Sequence, residues 1–274
     1  MGAQVVYGVV GLKTHAKLLL VTRRETVVGS AKRAAGTALR RYAHLSTGNY
    51  NPKTARLYTD LGYFTADQDL TSDVDAVFQQ LASLTKVKPP RRLLMAPFGL
   101  HRSLLQFIER VAESARAGRP ARIVAKLNAL TDPSLIEALV LASQAGAKID
   151  LLVRGACMLS PGVPGVSDRI RVRSIIGRFL EHSRVLYFRW GHGDDDETLL
   201  LSSADWMSRN MFRRIEIAWP VRDARLRQRV IDECLMPYLH DGCDAWQLDA
   251  NGSYRRVGLD GPSAQQALML RLGA

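Results

Sequence analysis

A sixteen-residue pattern occurs twice in this chain, and its recurrence limits the possible folds more than any other feature. The stretch LSTGNYNPKTARLYTD at 45–60 aligns without gaps on LSSADWMSRNMFRRIE at 201–216. Leu, Ser, a hydroxyl residue, a small residue, Asn or Asp, and then an aromatic follow in the same order. Upstream of each copy stands a histidine, a cation two residues later, and an apolar run: His15-Ala-Lys17-LLLV and His182-Ser-Arg184-VLYF. Recurrence of both parts in one order implies two related structural units.

The paired feature also has a chemistry. Side chains at i and i+2 on a strand point to the same face, so His15 and Lys17 project together, as do His182 and Arg184. A fixed cation can neutralise the non-bridging oxygens of a phosphoryl group while a neutral imidazole nitrogen attacks phosphorus or passes a proton. Ser46, Thr47 and Asn49, and in the second copy Ser202, Ser203 and Asp205, can orient the rings or donate to phosphate oxygens. Asp205 is acidic, which suits holding His182 better than touching phosphate.

Charge points the same way without choosing a ligand. Lys and Arg total 38 against 26 Asp and Glu, for a net charge of +12, which favours capture of polyanions: nucleic acid, anionic membrane or polyphosphate. No apolar run approaches the roughly 18 residues that span a bilayer. The N-terminal stretch lacks a basic n-region and a cleavage site, so the chain reads as cytoplasmic, with membrane association left open. Cys157, Cys234 and Cys243 form neither a disulfide framework nor a CxxC pair and read as buried thiols.

Along the chain, 4–7 and 17–21 read as strands. The stretch 22–41 carries six basic residues and no sustained apolar period, and reads as a long mobile loop. Strand character resumes at 42–45. An amphipathic helix is predicted over 70–84, capped by Thr71 or Ser72. KVKPPRR at 86–92 reads as a linker. Beyond it, strands at 93–96, 122–127 and 148–153 alternate with helices at 102–117 and 133–146, the signature of βαβ units. SPGVPG at 160–165 is turn-rich. Further strands are predicted at 185–189, 198–202 and 215–219, and one helix over 223–238.

Other residues take structural readings. His44 and His101 read as satisfied structural histidines. His192, in GHGDDDE, reads as part of a solvated hairpin turn rather than a metal site, since its spacing matches no ligand motif. Trp190, Trp206, Trp219 and Trp246 read as packing residues, and no GxxxxGK[ST] or GxGxxG loop is present.

The doubled H-x-K/R followed by a small-residue turn resembles the phospholipase D superfamily. GLKTHAK, LSTGNYNPKTARLYTD, KLNALTDPSLIEAL, LLVRG, RSIIGRFLEHSR and LSSADWMSRN together resemble bacterial polyphosphate kinase over almost the whole chain. The resemblance implies an α/β fold of two phospholipase D-like α/β/α units with mixed, mainly parallel sheets. Residues 1–88 would form a first unit truncated at its N-terminus, and 89–274 a complete second one. It implies reversible transfer of the terminal phosphate of ATP to polyphosphate through a phosphohistidine at His15, with His182 as its catalytic partner. Tyr58 would pack on the nucleotide; Arg154, His182, Lys17, Arg184 and Asn49 would contact phosphate. Arg154 suits a bidentate contact.

Mg2+ and ATP or ADP follow from the same resemblance, as do a homo-oligomer and N-terminal and head domains as partners. The family's magnesium-associated positions would lie upstream of residue 1. The superfamily's Asp after H-x-K is absent from both copies, where Thr22 and Arg189 stand instead; this counts against a lipid phosphodiesterase. Two alternatives stay open: a non-catalytic fragment that binds polyanions, and a phospholipase D-like phosphodiesterase.

Overall fold

The computed structural model describes residues 2–27, 36–83, 90–258 and 260–273. The first half contains β1 (Lys13–Thr14), β2 (Leu18–Val27), β3 (Gly36–Ser46), α1 (Pro52–Ala55), β4 (Tyr58–Thr59), β5 (Gly62–Thr65) and α2 (Gln68–Ser83). Strands β2, β3 and β5 form a three-stranded antiparallel sheet.

Three expectations change here. The basic stretch 22–41 is no loop along its described flanks: it continues β2 and β3, paired from Thr22↔Arg41 to Val27↔Gly36. A two-stranded ribbon with both faces in water needs no apolar period, because the ladder itself satisfies the backbone. Residues 28–35, the centre of that stretch, lie outside the described residues, as does most of the expected linker. The strand expected at 4–7 does not form. Finally, Asp67 caps α2 in place of Thr71 or Ser72, its carboxylate accepting from Leu70 N at 2.8 Å, so the helix starts two residues earlier than its apolar pattern.

The second half runs β6 (Leu94–Ala96), α3 (Leu100–Arg116), β7 (Arg122–Leu127), α4 (Pro133–Gln144), β8 (Lys148–Val153), β9 (Ile170–Ile175), β10 (Leu180–Glu181), β11 (Arg184–Arg189), β12 (Glu197–Ser202), α5 (Ser208–Phe212) and β13 (Arg214–Pro220). It ends with α6 (Ala224–Cys234), α7 (Met236–Leu239), β14 (Ala245–Leu248), β15 (Tyr254–Arg256) and α8 (Ala264–Leu272). Helix α4 begins where Asp132 accepts from Leu135 N and Pro133 takes the first turn, where no N–H is needed. The single helix expected over 223–238 is two, because Pro237 lacks the N–H that would continue α6.

The large sheet has the order β1-β13-β12-β11-β7-β8-β9-β14-β15, with β6 also on β13. It is mixed, as the α/β reading implies, but the balance of directions differs from a mainly parallel sheet. Parallel pairing joins β7, β8 and β9 and recurs at β1/β13; the other pairs are antiparallel. Helical crossovers permit parallel neighbours, whereas the short link between β11 and β12 forces an antiparallel one.

Two cores flank this sheet. One packs Leu104, Ile108 and Val111 of α3 and Leu135 and Leu139 of α4 against Leu186, Phe188 and Leu200. The other is shared between the halves: Ala43, Leu45, Leu70 and Val74 pack with Ile215, Ile217 and Trp219. Each large side chain buried there contributes roughly 1.5–3 kcal/mol. No described helix is long and apolar enough to cross a membrane.

Candidate active site

The halves interlock by an exchange of short strands that follows the sequence repeat. β1 lies parallel to the start of β13, with Lys13 opposite Arg214, and β10 lies parallel to β4, with Leu180 opposite Tyr58. The backbone repeats the relation. His15 N and Ala16 N both donate to Ile215 O at 2.9 Å, while His182 N and Ser183 N donate to Thr59 O at 3.3 and 2.9 Å. Tyr58 and Thr59 occupy the same places in the first copy as Arg214 and Ile215 in the second. Each histidine therefore sits against the other half's repeat.

This crossing brings each histidine to an acid at the last position of the opposite copy. His15 Nδ1 lies 2.9 Å from Glu216 Oε2, and His182 Nδ1 lies 2.9 Å from both oxygens of Asp60. A carboxylate only accepts, so each Nδ1 carries its hydrogen and each neutral ring keeps its lone pair on Nε2. The acids are themselves held alike. Ser203 Oγ donates to Glu216, and Thr47 Oγ1 donates to Asp60 at 2.8 Å. Ile217 N and Leu61 N return a bond to those hydroxyls, each at 3.0 Å. Ser46 and Ser202 instead accept from Gly48 N and Ala204 N, tightening the turns.

The cations repeat as well, with one departure. Lys17 Nζ lies 3.0–3.1 Å from the two nitrogens of the His15 ring, and Arg184 Nη1 lies 3.3–3.4 Å from those of His182. Arg184 is tied down: its guanidinium forks onto Asp205 at 2.9 and 3.2 Å and donates to Thr47 O. Asp205 thus holds the arginine rather than the histidine. Burial pushes its carboxyl up, but Arg184 and the Asn128 N–H outweigh this and hold it below the usual range.

Among the described residues Lys17 has no such partner. The residue in the place of Asp205 is Asn49, which is exposed and joined to the cluster by no hydrogen bond among the described residues. Burial, with Arg184 and Arg214 near, brings the Lys17 ammonium down to about 8 against the pull of Glu216 and Asp60. Lys17 in turn lies among the cations acting on His182. Burial lowers that imidazole's pKa, Arg184 and Lys17 add to this, and Asp60 partly opposes them. The two half-sites share one electrostatic environment.

Tyr58 and Arg154 border this cluster. The Tyr58 ring is 4.9 Å from that of His182. Arg154 Nε donates to Asn128 Oδ1 at 3.2 Å, and Asn128 reaches His182 O. Both residues line a cavity of about 470 Å³, walled also by Ile176, Arg178 and Phe179. A second cavity, about 530 Å³, lies beyond Tyr58 and Asp60 against Tyr238 and Met269. Between them, Lys126 Nζ is bonded to Glu181 at 2.6 Å, and Gln265 and Thr59 also donate to that carboxylate. The link between β10 and β11 that carries His182 is thus fixed from behind through Glu181.

The structure thus gathers His15, Lys17, His182 and Arg184, with Tyr58 and Arg154 beside them and Asn49 at the surface. Sequence reasoning missed the roles of Asp60 and Glu216. Their signal was present as the one acid shared by the ends of the aligned copies. His44 bonds to Tyr50, His101 to Asp132, and His192 sits exposed at a turn where Asp196 accepts from Gly193 N. The three cysteines are free thiols.

Comparison with known proteins gives this arrangement a context. Residues 93–267 match the family described as polyphosphate kinase C-terminal domain 2, and residues 1–87 match polyphosphate kinase C-terminal domain 1. A polyphosphate kinase of Burkholderia multivorans is 54% identical over 256 residues, 93% of this chain and 36% of that protein. One of Paraburkholderia phytofirmans is 52% identical over 273 residues, 38% of its length. The chain therefore spans little more than a third of these relatives. The crystal structure of polyphosphate kinase from Porphyromonas gingivalis superposes with a TM-score of 0.85 at 36% identity, covering 96% of this chain and 39% of that one.

Proposed function

The chain belongs to the polyphosphate kinase family, and we propose that its two-histidine site moves the terminal phosphate of ATP to polyphosphate, reversibly, through a phosphohistidine at His15. The observation that carries this reading is the buried Glu216 carboxylate on His15 Nδ1. It leaves the Nε2 lone pair as nucleophile, beside the Lys17 ammonium. That nitrogen attacks the γ-phosphorus of ATP. The N–P bond forms as the bond to the bridging oxygen breaks, and its electrons leave with ADP. A terminal oxygen of polyphosphate then attacks the phosphohistidine, the N–P bond breaks, and the ring is restored.

The neighbours have distinct parts in this scheme. Lys17 and Arg184 offset the charge of the transferring group. His182 is poised as the proton carrier: burial and the neighbouring cations lower its pKa, and an arriving phosphate dianion favours a proton on Nε2, which can pass to the departing oxygen. Tyr58 offers a face to the base. Arg154, with one nitrogen on Asn128, presents the rest of its fork to phosphate, and the Asn49 amide reaches out from the rim. The family implies Mg2+ with ATP. Among the described residues no group of three or more His, Cys, Asp or Glu forms a metal-ligand set, and Asp60, Asp205 and Glu216 are each committed to a histidine or arginine. These residues do not fit a magnesium shell, and no step runs through one.

Incubation with radiolabelled ATP tests the proposal. The expected product is an acid-labile, base-stable phosphoenzyme that His15→Ala abolishes and His182→Ala forms about 10²–10⁴-fold more slowly. An unlabelled chain that binds polyphosphate with a steep salt dependence, unaltered by His15→Ala, would support the polyanion-binding reading suggested by the charge of +12.

A further inference from the structure

The ribbon β2/β3 has a counterpart in the repeat, β11/β12, and the two end differently. With His15 matched to His182 and Leu45 to Leu201, the pair Leu18↔Leu45 corresponds to Val185↔Leu201, and Thr22↔Arg41 to Arg189↔Glu197. There the second ladder stops. Trp190 N donates to Asp196 O at 2.8 Å, and a turn containing Asp194, Asp195 and Asp196 closes it. The first ladder goes on for five more pairs, from Arg23↔Arg40 to Val27↔Gly36. Apart from Glu25, the side chains described on this extension are exposed, on both of its faces.

The charges on the extension are placed as folding alone would not favour. Arg23 stands directly across from Arg40, and like charges so placed cost stability. Where the second ladder stops, Arg189 instead faces Glu197 and bonds to it at 2.9 Å. The one acid on the extension, Glu25, lies 4.0 Å from Arg23 and 3.9 Å from Arg40, beyond hydrogen-bond reach of both. Its Oε1 accepts from the Tyr42 hydroxyl at 2.7 Å. Arg24, on the other face, has no ion pair or hydrogen bond among the described residues. Nearer the body, by contrast, Arg41 is bound to Asp75 of α2 at 2.9 Å. The arginine that serves the fold has its acid; the three beyond it have their charge to offer.

We infer that the extended ribbon is a second phosphate-chain site, at which Arg23, Arg24 and Arg40 hold polyphosphate away from the two histidines. At about 3.4 Å per residue, Arg23 lies roughly 17 Å along β2 from Leu18, the strand residue next to Lys17. A phosphate seated at His15 therefore leaves the ribbon to distant members of a long chain. Guanidinium forks suit non-bridging oxygens, and Thr22, Thr26 and Thr37 add hydroxyls on the face of Arg24. Cations on both faces suit a flexible linear ligand that wraps the ribbon; a flat protein surface would meet only one face. No aromatic residue occurs at 22–27 or 36–41, so the bases of a single-stranded nucleic acid would find no stacking platform there. The choice of polyphosphate as the chain rests on the phosphotransfer reading; the site itself rests on the ribbon.

Equilibrium binding of long-chain polyphosphate, beside tripolyphosphate and duplex DNA, tests the site without turnover. Arg23→Gln, Arg24→Gln and Arg40→Gln together should weaken long-chain binding at least about tenfold and flatten its salt dependence, with tripolyphosphate binding unmoved. Lys at the same three positions keeps the charge and should restore most of the affinity. Arg116→Gln, Arg119→Gln and Arg255→Gln together remove equal charge from exposed positions elsewhere, and should change binding by less than about twofold. Equal losses from the two Gln triples, a loss that Lys does not reverse, or DNA bound as tightly through the same arginines would each overturn the inference. Because the measurement needs no ATP, failure to form a phosphoenzyme would remove the phosphotransfer reading and leave a ribbon that binds phosphate chains standing.

Discussion

The two half-sites share a plan and differ in how far their charges are neutralised. In the second, Arg184 is forked onto a buried aspartate, two carbonyls accept from it, and His182 rests on Asp60. In the first, the Lys17 ammonium bonds, among the described residues, to the ring of His15, and the aspartate's place is taken by an exposed asparagine. A cation compensated by Asp205 orders its surroundings; an uncompensated one offers its charge to whatever anion arrives. On this comparison we propose that the chemistry belongs to the His15 side and the support to the His182 side, although the histidines themselves look alike.

Breaking the supporting half should cost most in stability. Asp205→Ala leaves the Arg184 guanidinium buried without its carboxylate, an expected loss of about 3–5 kcal/mol in urea unfolding. Asn49→Ala, at the matching exposed position, should stay within about 0.5 kcal/mol. Equal costs at the two positions would remove the asymmetry on which the assignment rests.

Breaking the acids tests the crossed wiring. Glu216→Gln can present its amide nitrogen to His15 Nδ1 and so favour the tautomer with hydrogen on Nε2. Phosphoenzyme formation should then fall on the order of 10²–10³-fold while the chain stays folded. Asp60→Asn removes the counter-charge that raises the His182 pKa. The loss should be smaller and should grow as pH rises, since a weaker base holds its proton less well. If both substitutions gave one rate loss with one pH profile, the histidines would not have different roles.

Much of this was legible before the fold. The strands 122–127 and 148–153 have the boundaries read from sequence, because βαβ units declare themselves through local apolar period and turn residues. The approach of Lys17 to His15 and of Arg184 to His182 follows the expected i, i+2 spacing, although His15, Lys17 and His182 lie in the links between short strands rather than on a strand. What escaped reading depends on contacts far apart in sequence. Glu216 reaches His15 across 201 residues, and only the exchange of β1 and β10 between halves places it there. Asp205 was assigned to the wrong partner for a similar reason: its approach to Arg184 depends on how β11 and β12 pair, not on the turn that contains it. The ribbon at 22–41 escaped because its ladder, not an apolar face, holds it.

The smallest expected effect sharpens the comparison most. Lys17 falls from an ordinary 10.5 to about 8 in the folded chain. The folded state therefore holds that proton less tightly than the unfolded one. No penalty exists above about 10.5; it accrues as pH falls toward 8 and is complete below, at about 3 kcal/mol for this shift. A rate that needs the ammonium should decline as pH rises through about 8. Asn49→Asp restores the acid that the other half carries and should raise the Lys17 pKa. The alkaline decline should then move up by about one pH unit, with about 1 kcal/mol of stability recovered at neutral pH. The same carboxylate would compete with phosphate for Lys17, so the gain in charge retention should come with weaker capture of ATP. An unmoved alkaline limb would mean that position 49 does not reach Lys17 as Asp205 reaches Arg184, and that the departure from symmetry extends to the backbone of the turn.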